Sequence, residues 1–143
     1  DWTVLRDEEG AGAVAATMLS APRSFLGRTS ISAAIDFSMA RLGVAPVGSD
    51  KRIIDISGDG MANFGAPPAA ARDRVVAAGI SINGLAILTE EPWLDGYYRS
   101  NVIGGEGAFV VVARSFDNFA DAMLRKLVQE VAGVAPADHL QMQ

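Results

Sequence analysis

A β-branched run, Arg52-Ile53-Ile54-Asp55-Ile56-Ser57, stops abruptly at Gly58-Asp59-Gly60. A short apolar run bounded by turn residues is typical of a strand that is buried on both faces, as in a parallel sheet. The glycines allow the chain to leave that strand sharply, and Asp59 then presents a carboxylate at the edge of the sheet. This stretch therefore predicts an α/β protein whose sheet is mainly parallel.

The remaining elements follow from apolar spacing and from capping residues. Strands are predicted over 80–88 and 108–113, and helices over 7–20, 30–42, 67–78 and about 116–131. Residues 92–103 are interpreted as a short helix or an irregular crossover, and Trp2-Thr3-Val4-Leu5 as the end of a further strand. Strands that alternate with helices predict a three-layer fold, with helices on both faces of the sheet.

Composition limits the classes of function. The length of 143 residues fits one domain, predicted over 1–136, with a frayed tail over 137–143. The net charge of −5 and the lack of a basic stripe argue against a nucleic-acid partner. No apolar run approaches the roughly 20 residues that span a bilayer. The absence of cysteine excludes disulfides and thiolate zinc sites.

Two loops carry residues with metal-binding chemistry. Asp59 follows a strand directly, and hard divalent cations prefer oxygen ligands of this kind, although the same side chain could simply cap its own turn. The second loop, Gly27-Arg28-Thr29-Ser30-Ile31-Ser32, is rich in hydroxyls and opens a helix. By itself it reads as a helix cap, since a Thr29 or Ser30 hydroxyl can accept a hydrogen bond from an amide of the first turn.

Together the two loops resemble those of the von Willebrand factor A family. A Gly-x-Thr-x-Ile helix start and a strand that ends in Gly-Asp-Gly are similar to the second and third loops of that family's metal-ion-dependent adhesion site. The resemblance implies that Thr29 and Asp59 help to hold a divalent ion, usually Mg²⁺. It also implies a protein-binding module, not an enzyme, whose partner supplies a carboxylate to the ion.

The resemblance runs over nearly the whole chain. Arg52–Gly60, Ile80–Thr89 and Asn101–Val112 look like a bacterial branch of that family that has no assigned function. Members of this branch look exported, so the resemblance implies an exported, periplasmic protein.

One departure from the family pattern has structural consequences. The family's first metal loop, Asp-x-Ser-x-Ser, occurs nowhere in the 143 residues. The chain therefore resembles the C-terminal portion of the domain without its N-terminal strands. We expect the metal site to be incomplete and weak. The strand over 52–57 should have an unpaired edge, which a second copy, a cleaved N-terminal piece or a swapped strand would cover.

Two alternative functions stay open. Gly58-Asp59-Gly60 followed by Asn83 is similar to the Gly-Asp-Gly…Asn motif with which thiamine diphosphate enzymes hold magnesium and the cofactor. However, Asn83 falls within a predicted strand, and such enzymes use two domains. The other alternative is a structural scaffold whose metal loops no longer bind.

Several other polar and aromatic residues are interpreted as structural rather than functional. We expect Asp55, which lies within an apolar run, to pair with Arg72 or Arg74 of a neighbouring helix. Glu90 and Glu91 are interpreted as a solvated loop. Core packing is expected for at least two of Trp93, Tyr97 and Tyr98. His139, the only histidine, has no metal-binding partners nearby in the sequence.

Overall fold

The sheet of this protein is parallel throughout. The computed structural model describes residues 2–22 and 27–132. Its strands are β1 (Ile53–Gly58), β2 (Ser81–Ile87) and β3 (Val110–Ala113), hydrogen-bonded in the order β1-β2-β3. The predicted α/β class is thereby confirmed. The predicted domain end at residue 136, the tail over 137–143 and His139 lie outside the described residues, so they stay predictions.

Five α-helices and two shorter turns connect these strands in the described residues. The helices are α1 (Glu8–Ser20), α2 (Ile31–Gly43), α3 (Pro68–Ala77), α4 (Leu94–Tyr97) and α5 (Phe119–Ala132). The helix α4 continues as a π-helical turn over Tyr98–Val102, and a 3₁₀ turn, Phe116–Asn118, leads into α5. The predicted irregular crossover over 92–103 is thus confirmed as α4 and the π-helical turn.

Helices cover both faces of the sheet, as the three-layer prediction required. On one face α2, α3, α4 and the π-helical turn enclose a core that includes Ile35, Val75 and Ile82. On the other face α5 packs over β2 and β3, and there Leu85, Ala113 and Ala122 are buried. Because side chains alternate along a strand, even-numbered residues of β2 face the first core and odd-numbered ones face α5.

The N-terminal segment does not form the predicted strand. Residues 2–6 have no regular structure, and Trp2, Val4 and Leu5 are exposed. None of the described strands pairs with them in a hydrogen-bond ladder, and a lone strand is not stable in water. The helix α1 forms as predicted, with Asp7 as its N-cap, but buries none of its residues.

The packing of α5 differs from what its apolar spacing indicates. Leu124, Leu127, Val128 and Val131 are exposed, whereas Ala122 and Lys126 are buried. Lys126 is fully buried because its ammonium donates to the carboxylates of Asp55 on β1 and Glu130 on α5. A buried charge is tolerated only when it is paired in this way.

The predicted partner of Asp55 was therefore wrong. Arg72 pairs with Asp73, and Arg74 pairs with Asp36 on α2. The reason is the alternation of side chains along β1. Asp55 points to the face that α5 covers, whereas α3, which carries both arginines, packs on the opposite face with Ile54.

Candidate functional site

The start of α2 and the loop after β1 are joined by hydrogen bonds at the carboxyl edge of the sheet. The Thr29 amide donates to Asn63 Oδ1 at 2.8 Å. The Thr29 carbonyl accepts from the amides of Asn63 and Phe64, at 3.0 and 3.1 Å. We call these three bonds the Thr29 latch. They tie Thr29 to the loop that begins with Asp59, so the two loops that carry the predicted metal ligands are neighbours.

A second contact between these loops depends on glycine. Gly65 has a φ of +83°, and a Cβ placed on it would lie 2.6 Å from Ser30 Oγ. Ser30 Oγ is itself engaged, because it caps α2 by accepting from the Ala33 amide at 3.3 Å and lies 3.4 Å from Ser32 Oγ. Only glycine permits both this conformation and this close approach.

Asp59 lies beside a buried tyrosine. A Cβ on Gly58, the residue before it, would lie 2.7 Å from the Tyr98 hydroxyl. Burial raises the pKa of Tyr98 to about 12, and the charges of Tyr97 and Asp59 act in the same direction. The Asp59 carboxylate itself is exposed, as is Thr29, so both side chains are accessible to an ion and to a partner.

The predicted pair, Thr29 and Asp59, has the donor chemistry of a hard cation site. Hydroxyl and carboxylate oxygens are the ligands that Mg²⁺ accepts, and Mg²⁺ usually keeps several waters. Within residues 2–22 and 27–132, no group of three or more His, Cys, Asp or Glu side chains could hold a metal. A cation held by Thr29 and Asp59 would therefore have to take its remaining ligands from water or from oxygens of a partner.

Tyr97 and Tyr98 lie beside the loop that begins with Asp59, and Tyr97 is hydrogen-bonded to it. The Tyr97 hydroxyl accepts from the Ala62 amide at 3.3 Å, and the Tyr97 ring meets Tyr98 edge to face at 6.3 Å. Tyr98 is buried and Tyr97 half-buried, while Trp93 is 52% exposed. Core packing of two of the three aromatic residues, as predicted, is confirmed.

A groove adjoins the same loop. Its volume is about 500 Å³, and it is lined by residues 61–68, Tyr97 and Asn101. Exposed apolar side chains near its rim are Met61 and Phe64, and the Arg28 guanidinium lies 4.9 Å from the centre of the Phe64 ring. This edge of the sheet thus has both polar donors and apolar contact area.

Of the two glutamates that follow β2, one agrees with the predicted solvated loop and the other does not. Glu90 is exposed, as a solvated loop requires, but Glu91 is half-buried. Its Oε2 atom is buried and has no hydrogen-bond partner among the described residues.

The sequence did not predict a role for Asn63, because an asparagine in a loop gives no periodic or motif signal that distinguishes it from a turn residue.

Asn83, the second residue of the thiamine diphosphate alternative, does not lie with Asp59. It is buried within β2 in register with Asp55, four residues before Asp59. Its amide group is committed to other partners, since it donates to Glu130 and accepts from the Phe109 amide. The geometry therefore does not favour the cofactor-binding alternative.

Comparison with known proteins places the chain in a family. The chain matches, over residues 1–135, the model of a family described as a protein of unknown function, DUF1194. The chain belongs to this family. No curated protein and no solved structure matches it. In the described part of this DUF1194 chain, no helix is both long enough and apolar enough to span a membrane.

Proposed function

We propose that this chain is a von Willebrand factor A-like binding module rather than an enzyme. In it Thr29 and Asp59 hold a Mg²⁺ ion that accepts a carboxylate from a partner protein. The observation that supports this most is the Thr29 latch, because it joins the two loops whose residues would share the ion. Each ligand alone has a structural explanation, whereas the hydrogen bonds from Thr29 to Asn63 and Phe64 bring the loop of Thr29 against the loop that begins with Asp59.

The exposed surroundings favour a protein partner. Met61, Phe64 and Trp93 are between 42% and 53% exposed on the loops at this edge. Apolar and aromatic side chains of this kind supply the contact area in protein interfaces, where aromatic residues and Met are enriched. Arg28, held near the Phe64 ring, adds a positive charge that would attract a carboxylate-bearing segment.

Titration of the 143-residue chain with Mn²⁺, a spectroscopic substitute for Mg²⁺, tests the cation site directly. We expect the unsubstituted chain to bind Mn²⁺, Asp59→Ala to lose this binding and Thr29→Ala to weaken it. Asp50→Ala is the matched control, because Asp50 is an exposed aspartate before β1, at the opposite end of the strand. If Asp59→Ala binds Mn²⁺ as tightly as the unsubstituted chain, the proposal is wrong.

The same titration separates the module from a scaffold with a degenerate metal site. A scaffold would show no Mn²⁺ binding in the unsubstituted chain, and Thr29 and Asp59 would then be explained by helix capping and turn formation. Binding that depends on Asp59 but not on Asp50 supports the module.

A further inference from the structure

We propose that Asn63 is a positioning residue for the cation site. It holds Thr29 in place and is not itself a ligand of the ion. This inference rests on the proposed function, because it concerns how one of the two proposed ligands is fixed. It adds a residue that neither the sequence motifs nor the family resemblance indicates.

The geometry of the latch constrains Thr29 from both sides. The amide of Thr29 is bound by the Asn63 side chain, and its carbonyl is bound by the amides of Asn63 and Phe64. The two peptide groups that flank Thr29 Cα are thus both anchored to one short loop. Rotation about either backbone dihedral of Thr29 would break a hydrogen bond, so the direction of its Cα–Cβ bond, from which the hydroxyl extends, is restricted.

The side chain of Asn63 is suited to this role because it supplies the acceptor that local structure does not. Thr29 precedes Ser30, the N-cap of α2, so its amide is outside the helical hydrogen-bond pattern. The Asn63 oxygen reaches it from 34 residues away in sequence. If Asn63 were replaced by a residue without an acceptor, the Thr29 amide would lose this hydrogen bond and could donate only to water.

The loop that carries Asn63 is itself held on two sides, so it can transmit this constraint. On one side the Ala62 amide donates to the Tyr97 hydroxyl. On the other, Gly65 packs closely against Ser30 and the Phe64 ring lies near Arg28. Asp59 begins this loop, so fixing Thr29 to Asn63 also limits its separation from Asp59.

The test compares Mn²⁺ affinity in Asn63 variants of the 143-residue chain. Residues that orient metal ligands typically change metal affinity about 10- to 100-fold when replaced, and we expect a loss in this range for Asn63→Ala. Asn63→Asp retains an acceptor oxygen and should recover the affinity. The matched control is Asn101→Ala, because Asn101 lines the same groove but donates to the Tyr97 carbonyl and does not contact Thr29.

A second readout removes the effect of the charge that aspartate adds. Hydrogen exchange at the Thr29 amide, measured without metal, should be faster in Asn63→Ala than in the unsubstituted chain, and slow again in Asn63→Asp. A purely structural role in folding would instead speed exchange over the whole core. If Asn63→Ala does not fold, Asn63→Leu is used, because leucine has nearly the shape of asparagine but no acceptor, and the same changes in affinity and exchange are expected.

The possible outcomes distinguish the two proposals. Loss of Mn²⁺ affinity in Asn63→Ala, with recovery in Asn63→Asp and no change in Asn101→Ala, supports both. Loss in Asp59→Ala with unchanged affinity in Asn63→Ala overturns the positioning role and leaves the cation site standing. Absence of Mn²⁺ binding in the unsubstituted chain, or unchanged affinity in Asp59→Ala, overturns the proposed function and this inference with it.

Discussion

Lys126 is a fully buried lysine whose single positive charge is shared by two carboxylates. One ammonium cannot neutralise both, and the two carboxylates are unequally buried, since the Asp55 side chain is 38% exposed and that of Glu130 is 10% exposed. Burial raises the pKa of Asp55 to about 6, outweighing the hydrogen bond from Lys126. Burial also opposes ionisation of Glu130, but hydrogen bonds from Lys126, Asp55 and Asn83 outweigh it and lower the pKa of Glu130. The pKa of Asp55 is therefore raised and that of Glu130 lowered, although the two carboxylates share one ammonium.

The stability of the fold should consequently depend on pH through Asp55. Its pKa is about 6 in the folded protein and 3.8 ordinarily, so the folded state holds a proton that the unfolded state has released. The stabilisation from this proton is complete below about pH 4 and is lost as the pH rises through 6. Glu130 acts in the opposite direction but only below its ordinary value of 4.5. We expect the free energy of unfolding to fall between pH 5 and pH 7 because of Asp55.

Urea unfolding at several pH values measures this dependence. Asp55→Asn carries a permanently neutral group and should flatten the fall between pH 5 and pH 7. Asp36→Asn is the matched control, because Asp36 is exposed on α2 and outside the Lys126 cluster. Parallel pH profiles for the unsubstituted chain and Asp55→Asn would contradict the assignment.

Removal of Lys126 should be far more damaging than removal of its neighbour. Lys126→Ala leaves Asp55 and Glu130 without their shared counter-charge, and breaking a buried ion pair in this way costs about 3–5 kcal/mol. Arg125→Ala, one residue away on the exposed side of α5, should stay within about 0.5 kcal/mol. Both values come from urea unfolding at pH 7, and equal effects of the two substitutions would show that the cluster does not support the fold.

Among the secondary-structure elements, the sequence predicted those whose boundaries are set by the local pattern of residues. The strand predicted over 52–57 is observed as Ile53–Gly58. Its β-branched residues favour a strand and the glycine after them does not, so the sequence itself marks where the strand ends. The third strand begins at Val110 rather than 108, since the Phe109 amide bonds the Asn83 side chain instead of a strand carbonyl. The partner of Asp55 was not predictable, because it depends on which helix covers which face. The same holds for the candidate site, where Asn63 meets Thr29 only after folding.

Tyr98 links the crossover to the sheet through contacts with glycines on two strands. A Cβ on Gly58 would lie 2.7 Å from the Tyr98 hydroxyl, and one on Gly84 would lie 2.8 Å from its Cδ1. We expect Gly58→Ala to cost about 1–3 kcal/mol by overpacking. In a Tyr98→Phe background the obstructing hydroxyl is absent, so the cost of Gly58→Ala should fall.

Gly84→Ala provides the control for this double-mutant cycle. Its obstruction is the tyrosine ring rather than the hydroxyl, so its cost should be the same with and without the Tyr98→Phe substitution. Additive effects of Gly58→Ala and Tyr98→Phe in urea unfolding would mean that the end of β1 does not pack against this hydroxyl.

At the scale of the whole molecule, two surfaces are left open in the described residues. The outer edge of β1 has no strand beside it, and α5 exposes Leu124, Leu127, Val128 and Val131. Unpaired strand edges and contiguous apolar side chains both favour association with another chain. The Asp55 carboxylate on β1 is 38% exposed, so the face of β1 toward α5 is also only partly covered.

We therefore expect the 143-residue chain by itself to self-associate as its concentration rises. Leu124→Glu combined with Val128→Glu places two charges one helical turn apart on the exposed side of α5 and should shift the chain toward monomers. Leu19→Glu on α1 is the control, since it replaces an even more exposed apolar residue away from α5. Light scattering over a concentration series measures the effect. A monodisperse monomer at every concentration would show that the edge of β1 and the apolar side chains of α5 need no partner.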